Sequence, residues 1–432
     1  MKTMKRLFYG ATIITGTGTT IADGWLVVED GIIRYVGPPK VDEPGTFDAM
    51  TNLRGKILLP GLVNTHTHAA MSLLRGYADD LPLQQWLEEK MWPMEAQFTD
   101  REVYWGSALS VVEMIKSGTT CFADMYDHMD QVARVVEEAG VRACLARGVI
   151  GLGEPAVVQG KIAEMTQFAK AYHGAANGRI TTMVSPHALY TCPPEVLEQI
   201  IAISEELDLP IHTHLSETKK EVEDCWATYG KPPVLVLEEI GLFRRPTHVA
   251  HAVHLTEAEL DLLAQRGVSV SHNPGSNLKL ASGIAPVPAM LRRGMTVSLG
   301  TDGAASNNNL DMFEEMRLAS LIHKGNTLDP LAVSAEQALA MATVEGAKSL
   351  GLDAVIGTLE AGKEADFIVV QPTQPHWQPL YDPVSHLVYS ARAEDVLDVY
   401  VQGKPIMLNR QLTTLDEERI VYEVRQITNA WK

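Results

Sequence analysis

The sequence predicts an α/β fold: a (β/α)8 TIM barrel over residues 58–355, joined to a small composite β-sandwich domain built from both termini, 1–57 with 356–432. Three observations predict it. A unit of amphipathic helix, glycine and apolar strand recurs through the middle of the chain. Eight strand segments can be counted there, enough to close a barrel. Both ends instead carry short strands broken by turns, and neither end alone can bury much.

Taken in order, the apolar run Ile57-Leu58-Leu59-Pro60-Gly61-Leu62-Val63 gives the first barrel strand and leads into His66-Thr67-His68. Thr99 and Glu102 then form a capping box. Behind them Ala108, Val111, Val112 and Ile115 share one helical face. Gly118 stops that helix before the strand Thr119–Ala123. The same punctuation recurs at Gly140, Gly267 and Gly294, because glycine takes the left-handed helix-ending conformation without steric cost. Two more strands, Ile180–Ser185 and Pro210–His214, flank a helix over 194–206. The strand before His251 completes the eight. A doubly wound open sheet would need a glycine-rich phosphate loop after its first strand, and the chain has none there. At the N-terminal end, Trp25–Glu29 and Ile32–Val36 around Asp30-Gly31 predict a hairpin. Ala365–Val370 and Val396–Val401 supply C-terminal strands, expected to pair with the N-terminal ones.

Composition narrows the function. The 432 residues carry a formal net charge of −18, the wrong sign for a nucleic-acid partner, which calls for clustered Lys and Arg. No apolar stretch reaches membrane-spanning length. Met1–Gly10 lacks the apolar core and cleavage site of a secretory leader. Cys121, Cys144, Cys192 and Cys225 show no paired spacing and read as buried thiols of a reducing compartment. These features lead to the expectation of a cytoplasmic enzyme with a small-molecule substrate.

The chemistry concentrates at strand ends, where barrels of this type carry their working residues. Side chains alternate faces along a strand, so His66 and His68 point the same way. His214 ends strand five, His251 strand six and Asp302 strand eight. Three imidazoles and one carboxylate around an open position suit one divalent cation, zinc first and iron second. Such a cation lowers the pKa of a bound water to about 7. Glu217, three residues after His214, is placed to move a proton between that water and a leaving group. His212 should face the same way as His214 one layer deeper, either as a ligand or as a hydrogen-bonded interior histidine. His254 and His272 lie near the mouth, whereas His128, His173, His323, His376 and His386 read as surface or packing residues.

Pro60-Gly61-Leu62-Val63-Asn64-Thr65-His66-Thr67-His68, together with the segments 271–280, 299–308 and 357–366, resembles the amidohydrolase superfamily over nearly the whole chain. The likeness is to its aminohydrolase and chlorohydrolase subgroup, and within it to deaminases of 5′-thio-substituted adenosines. The resemblance implies one metal ion, held by His66, His68, His214 and Asp302, since no lysine ends strand four. It further implies that Asp302 takes a proton from the attacking water and that Glu217 protonates the purine ring. His251 would stabilise the tetrahedral oxygen. Trp86, Trp92, Pro93 and Glu95 are similar to a substrate lid whose glutamate grips ribose hydroxyls. Arg147 and His187 match positions around the nucleoside, and homo-oligomers are common in the family. His212 departs from the family pattern. Guanine-type or cytosine-type deamination, triazine dechlorination and a catalytically dead scaffold are the competing readings.

Overall fold

The computed structural model describes residues 4–40 and 47–431, so residues 1–3 of the N-terminal stretch examined for a leader lie outside it. Among the described residues eight strands line the barrel. In chain order they are Leu62–Thr67, Thr119–Tyr126, Arg142–Val149, Ile180–Thr182 continued by Ser185–Pro186, Ile211–Leu215, Thr247–His251, Ser269–His272 and Val297–Leu299. Successive strands pair in parallel. Strands four and five are joined by the bridges Val184–Ile211 and Ala188–His214. The seam between strands one and eight is sewn by Asp302 N–H donating to the His66 carbonyl at 2.9 Å. Beside it Thr301 N–H donates to Asn64 Oδ1 at 3.0 Å. The barrel is therefore closed.

Local signals explain the helices. Thr99 and Glu102 do form a capping box, and Ala108, Val111, Val112 and Ile115 are buried beneath it. Gly140 and Gly267 end their helices at φ of 79° and 68°, conformations that favour glycine. All four cysteines are buried and free. No helix among the described residues is long and apolar enough to cross a membrane.

The strands of both termini share one nine-stranded sheet among the described residues. The hairpin pairs Glu29 with Ile32 across Asp30 and Gly31, both at positive φ. The sheet curls over its own core. Ala365 N–H and Gly362 N–H donate to the carbonyls of Gly31 and Ile33, and Phe8 packs edge-on against Phe367 and Tyr400 at 5.0 and 5.2 Å. Arg142, buried at the base of the barrel, ties it to this sheet by bonds to Asp366 and Glu364.

Two elements depart from the sequence reading. The apolar run expected as one barrel strand is two. Ile57–Pro60 pairs with terminal strands, and the barrel begins at Leu62. A Cβ on Gly61 would lie 2.0 Å from Thr120 Oγ1, so only glycine lets the chain pass between the two sheets here. The C-terminal stretch, expected to be β structure, ends in the helix Glu417–Asn429, capped by Asp416. It turns Ile420 and Ile427 inward and packs on the barrel helix Asp100–Lys116.

Candidate metal centre and substrate cavity

Four imidazoles and one carboxylate converge at the C-terminal mouth of the barrel. Side-chain atoms of His66, His68 and His214 lie within 4.8 Å of one another, as do those of His66, His251 and Asp302. The backbone makes this possible at some cost in strain. His251 and Asp302 sit at φ of 71° and 61°, a region non-glycine residues rarely enter and which clusters at functional sites. Gly300 lets strand eight come this close, since a Cβ there would lie 2.9 Å from His66 Cβ.

Each ring is held by its Nδ1. His68 donates to the Met125 carbonyl at 2.6 Å and His214 to the His187 carbonyl at 2.7 Å. His251 Nδ1 meets Asn277 Oδ1 at 2.8 Å, and His66 Nδ1 meets His212 Nε2 at 2.9 Å. Burial lowers the His66 pKa to about 3, so its ring is neutral. Its Nε2 is buried without a hydrogen-bond partner among the described residues.

The fit to a cation follows from these contacts. His66 Nε2 and His68 Nε2 stand 3.4 and 3.3 Å from Asp302 Oδ1. Lone pairs on nitrogens whose protons point elsewhere thus face a carboxylate oxygen, an arrangement that repels unless a positive charge lies between them. Oδ2 of the same carboxylate accepts from Ser276 and Ser306 at 2.6 and 2.9 Å. Burial opposes ionisation of Asp302, yet the imidazoles of His66, His68 and His251 hold its carboxyl well below the usual range.

Glu217 faces this group from the loop after strand five. One oxygen accepts from Ser282 at 3.2 Å and the other lies 3.7 Å from His251 Nε2. The side chain is buried, and burial raises its pKa. For His251, burial would lower the pKa, but the charges of Glu217 and Asp302 outweigh it and raise it. Glu221 fixes the loop, accepting from the N–H groups of Ser216 and Glu217 at 2.9 and 2.7 Å.

A cavity of about 380 Å³ opens over these groups, within the usual size range for small-molecule sites. Trp86, Trp92 and Glu95 line its outer wall. They are carried on short helical segments between Leu83 and Glu95, not on an irregular loop. Trp86 is anchored by its indole N–H to the Ala78 carbonyl at 3.1 Å. Glu95 accepts from Tyr126 Oη at 2.6 Å, and burial raises its pKa. His187 lines the inner wall, with Nδ1 bonded to Thr191 at 2.9 Å. Arg147, which the sequence places after strand three, also faces the cavity but lies within that strand, Arg142–Val149. Its guanidinium is engaged by Asp127 and Glu164 at 3.0 and 2.8 Å.

The structure brings His66, His68, His214, Glu217, His251 and Asp302 together with Trp86, Trp92, Glu95, Arg147 and His187 at one mouth, whereas Pro93 is exposed and His254, bonded to the Ser282 carbonyl, stands outside the cavity lining. It also adds several that the sequence reading missed: Tyr126, Lys161, Ser276, Asn277 and Ser282. The last three stand in one polar segment (273–282), whose Asn and Ser density was the available signal. His212 is the interior histidine of the two alternatives. His272 and His323 bond each other at 3.2 Å, so His323 is buried in the core and not on the surface.

Residues 57–406 match the amidohydrolase family. The chain is 51% identical over 425 residues to a 5-methylthioadenosine/S-adenosylhomocysteine deaminase of Desulforudis audaxviator, covering 98% of each chain. It is 50% identical over 414 residues to a protein of the same name from Syntrophomonas wolfei, covering 96% of this chain and 95% of that one. Among solved structures, an adenosine deaminase from Xanthomonas campestris with bound zinc superposes with a TM-score of 0.92 at 36% identity, covering 99% of this chain and 98% of that one. With its barrel, its convergent imidazoles and these matches, the chain belongs to the amidohydrolase family, in the branch that holds the 5-methylthioadenosine/S-adenosylhomocysteine deaminases.

Proposed function

We propose that this enzyme hydrolyses the exocyclic amine of 5′-thio-substituted adenosines, methylthioadenosine and S-adenosylhomocysteine, to the inosine derivative and ammonia. The observation that carries the reading is a buried carboxylic acid, Glu217, facing a convergent ligand set in a cavity that a second, half-buried carboxyl group, Glu95, also lines. His66, His68, His214 and Asp302 would hold a zinc ion. Once bound, such an ion acidifies water to a pKa of about 7 and supplies the nucleophile at neutral pH.

The side chains do the rest. Asp302 accepts the proton released when water oxygen bonds to purine C6. Glu217 donates its proton to ring N1, and the hydrogen bond from Ser282 keeps its carboxyl aimed inward. The C6–N bond then breaks: ammonia leaves carrying the proton that Asp302 took up, and the proton remaining on the new C6 oxygen returns to Glu217, which leaves the inosine carbonyl and both carboxyl groups as they began. His251 supplies positive potential to the oxygen that has become tetrahedral. Glu95, oriented by Tyr126, accepts from the ribose hydroxyls, while His187 and Trp92 border the purine and sugar. Lys161, which lines the cavity and whose Nζ bonds the Ile150 carbonyl at 3.4 Å, suits the carboxylate of an amino-acid tail.

Steady-state ammonia release from methylthioadenosine, S-adenosylhomocysteine, adenosine, guanine and cytosine, with chloride release from a chlorotriazine, tests the reading. The thio-substituted nucleosides should give the highest kcat/KM. Free bases outpacing nucleosides would overturn it.

A further inference from the structure

The four imidazoles at the mouth are not held alike. His68 and His214 give their Nδ1 protons to backbone carbonyls, and His251 uses a side-chain amide oxygen. His66 alone uses another imidazole. Its Nδ1 lies 2.9 Å from His212 Nε2, and the other nitrogen of His212 lies 3.1 Å from the His248 carbonyl. A carbonyl oxygen only accepts, so His212 Nδ1 must carry a proton. A neutral imidazole has one donor and one acceptor nitrogen, which leaves His212 Nε2 as the acceptor. His66 Nδ1 must then be the donor, and the lone pair of His66 falls on Nε2, the buried and unpartnered atom that faces Asp302. The opposite proton arrangement would set a bare His212 nitrogen against the carbonyl oxygen.

His212 cannot readily turn away from this role. It is completely buried and its ring stacks on His248 at 5.0 Å and 20°. His248 is pinned in turn, with Nε2 donating to the Thr65 carbonyl at 3.1 Å and Nδ1 meeting Ser269 Oγ at 2.9 Å. The chain of contacts runs from strand six through strand five to strand one and ends at the residue beside His66.

We propose that His212 is a positioning residue for the metal centre: as the hydrogen-bond acceptor for His66 it fixes which nitrogen of that ligand carries the proton, and so presents Nε2 as a lone pair. The inference rests on the reading that His66 is a metal ligand. Removing the acceptor would leave the His66 Nδ1 proton buried and unpaired. The ring would then favour the tautomer with its proton on Nε2, bonded to Asp302 and unable to ligate.

The test is zinc affinity of the full-length protein, measured by competition with a chromophoric chelator, for the parent, His212→Leu and His212→Gln. Loss of such an outer partner weakens metal binding about 10–100-fold, which is the expectation for His212→Leu. Gln keeps an acceptor near the position of Nε2 and should bind zinc within about threefold of the parent. Parent-like affinity in His212→Leu would overturn the proposal. So would equal weakening in both variants, which marks a packing role. A parent that binds no zinc would instead refute the metal-site reading itself. Should His212→Leu fail to fold, a long-range proton–nitrogen spectrum of the zinc-loaded, histidine-labelled parent decides the matter. A proton on His212 Nδ1 with bare Nε2 supports the relay, and the reverse tautomer ends it.

Discussion

Replacing Glu217 with glutamine separates proton transfer from every other task of the site. The amide has nearly the volume of the carboxyl, and its oxygen can keep accepting from Ser282, so the buried pocket should stay filled. Glu217 is not among the groups that converge as ligands, so bound zinc should be unchanged. What disappears is the acid that protonates N1. Positioned general acid–base groups contribute about 10²–10⁴-fold, or about 2.7–5.4 kcal/mol at 1.36 kcal/mol per decade. The expected result is therefore a fall in kcat of that size, with metal content and melting temperature close to the parent. Ammonia release at saturating methylthioadenosine, read beside zinc by atomic absorption, measures both. A kcat within about threefold of the parent would refute the acid–base assignment, because no such loss would then have occurred. Loss of zinc would refute the separation of Glu217 from the ligand set.

Glu95→Gln should lower kcat/KM for nucleosides about 10–100-fold, the value of one charge-assisted bond to a ribose hydroxyl, while leaving the slow turnover of free adenine unchanged; equal losses on both would remove the ribose contact. Chelation should abolish activity and lower the melting temperature, and zinc at a thousandfold excess over its Kd should restore about 4 kcal/mol of stability; a melting curve indifferent to zinc would contradict the site. Glu315 offers a pH test away from the chemistry. Burial raises its pKa to about 8, although it accepts from Gly275 N–H and Asn307. A carboxyl whose folded pKa exceeds its unfolded value binds its proton more tightly when folded, so stability is full below about pH 4.5 and declines toward pH 8. Glu315→Gln should flatten the fall in melting temperature between pH 5 and 8 (a window set by the same shift), whatever its absolute stability, and an unchanged slope would assign that fall to other groups.

The strand-end grammar made the barrel and its candidate ligands legible, because period-two alternation and helix-ending glycines are local properties of the chain. His66, His68, His214, Glu217, His251 and Asp302 could be named for that reason. The division of Ile57–Val63 into two strands was not legible, since it depends on the approach of Thr120 to Gly61. The helical lid was hidden by Pro82 and Pro93, which read as turn signals although both sit at helix starts. The closing helix, Glu417–Asn429, does carry a helical stripe, Ile420, Val424 and Ile427 at i, i+4 and i+7 behind the Asp416 cap, but the run of strands just before it drew the sequence reading to β structure. The partner of His66 could not be read from spacing at all. His212 and His66 meet across the inside of the barrel, and only three-dimensional distances reveal which nitrogen faces which.

The hydrogen bond from Asp302 to the His66 carbonyl spans the place where the barrel's beginning meets its end. A growing polypeptide on the ribosome therefore holds His66 and His68 long before the aspartate exists. The donor set proposed for the divalent cation is complete only after synthesis has passed the eighth strand and the barrel has closed, so loading of that set would belong to the finished protein and depend on the free cation available to it then.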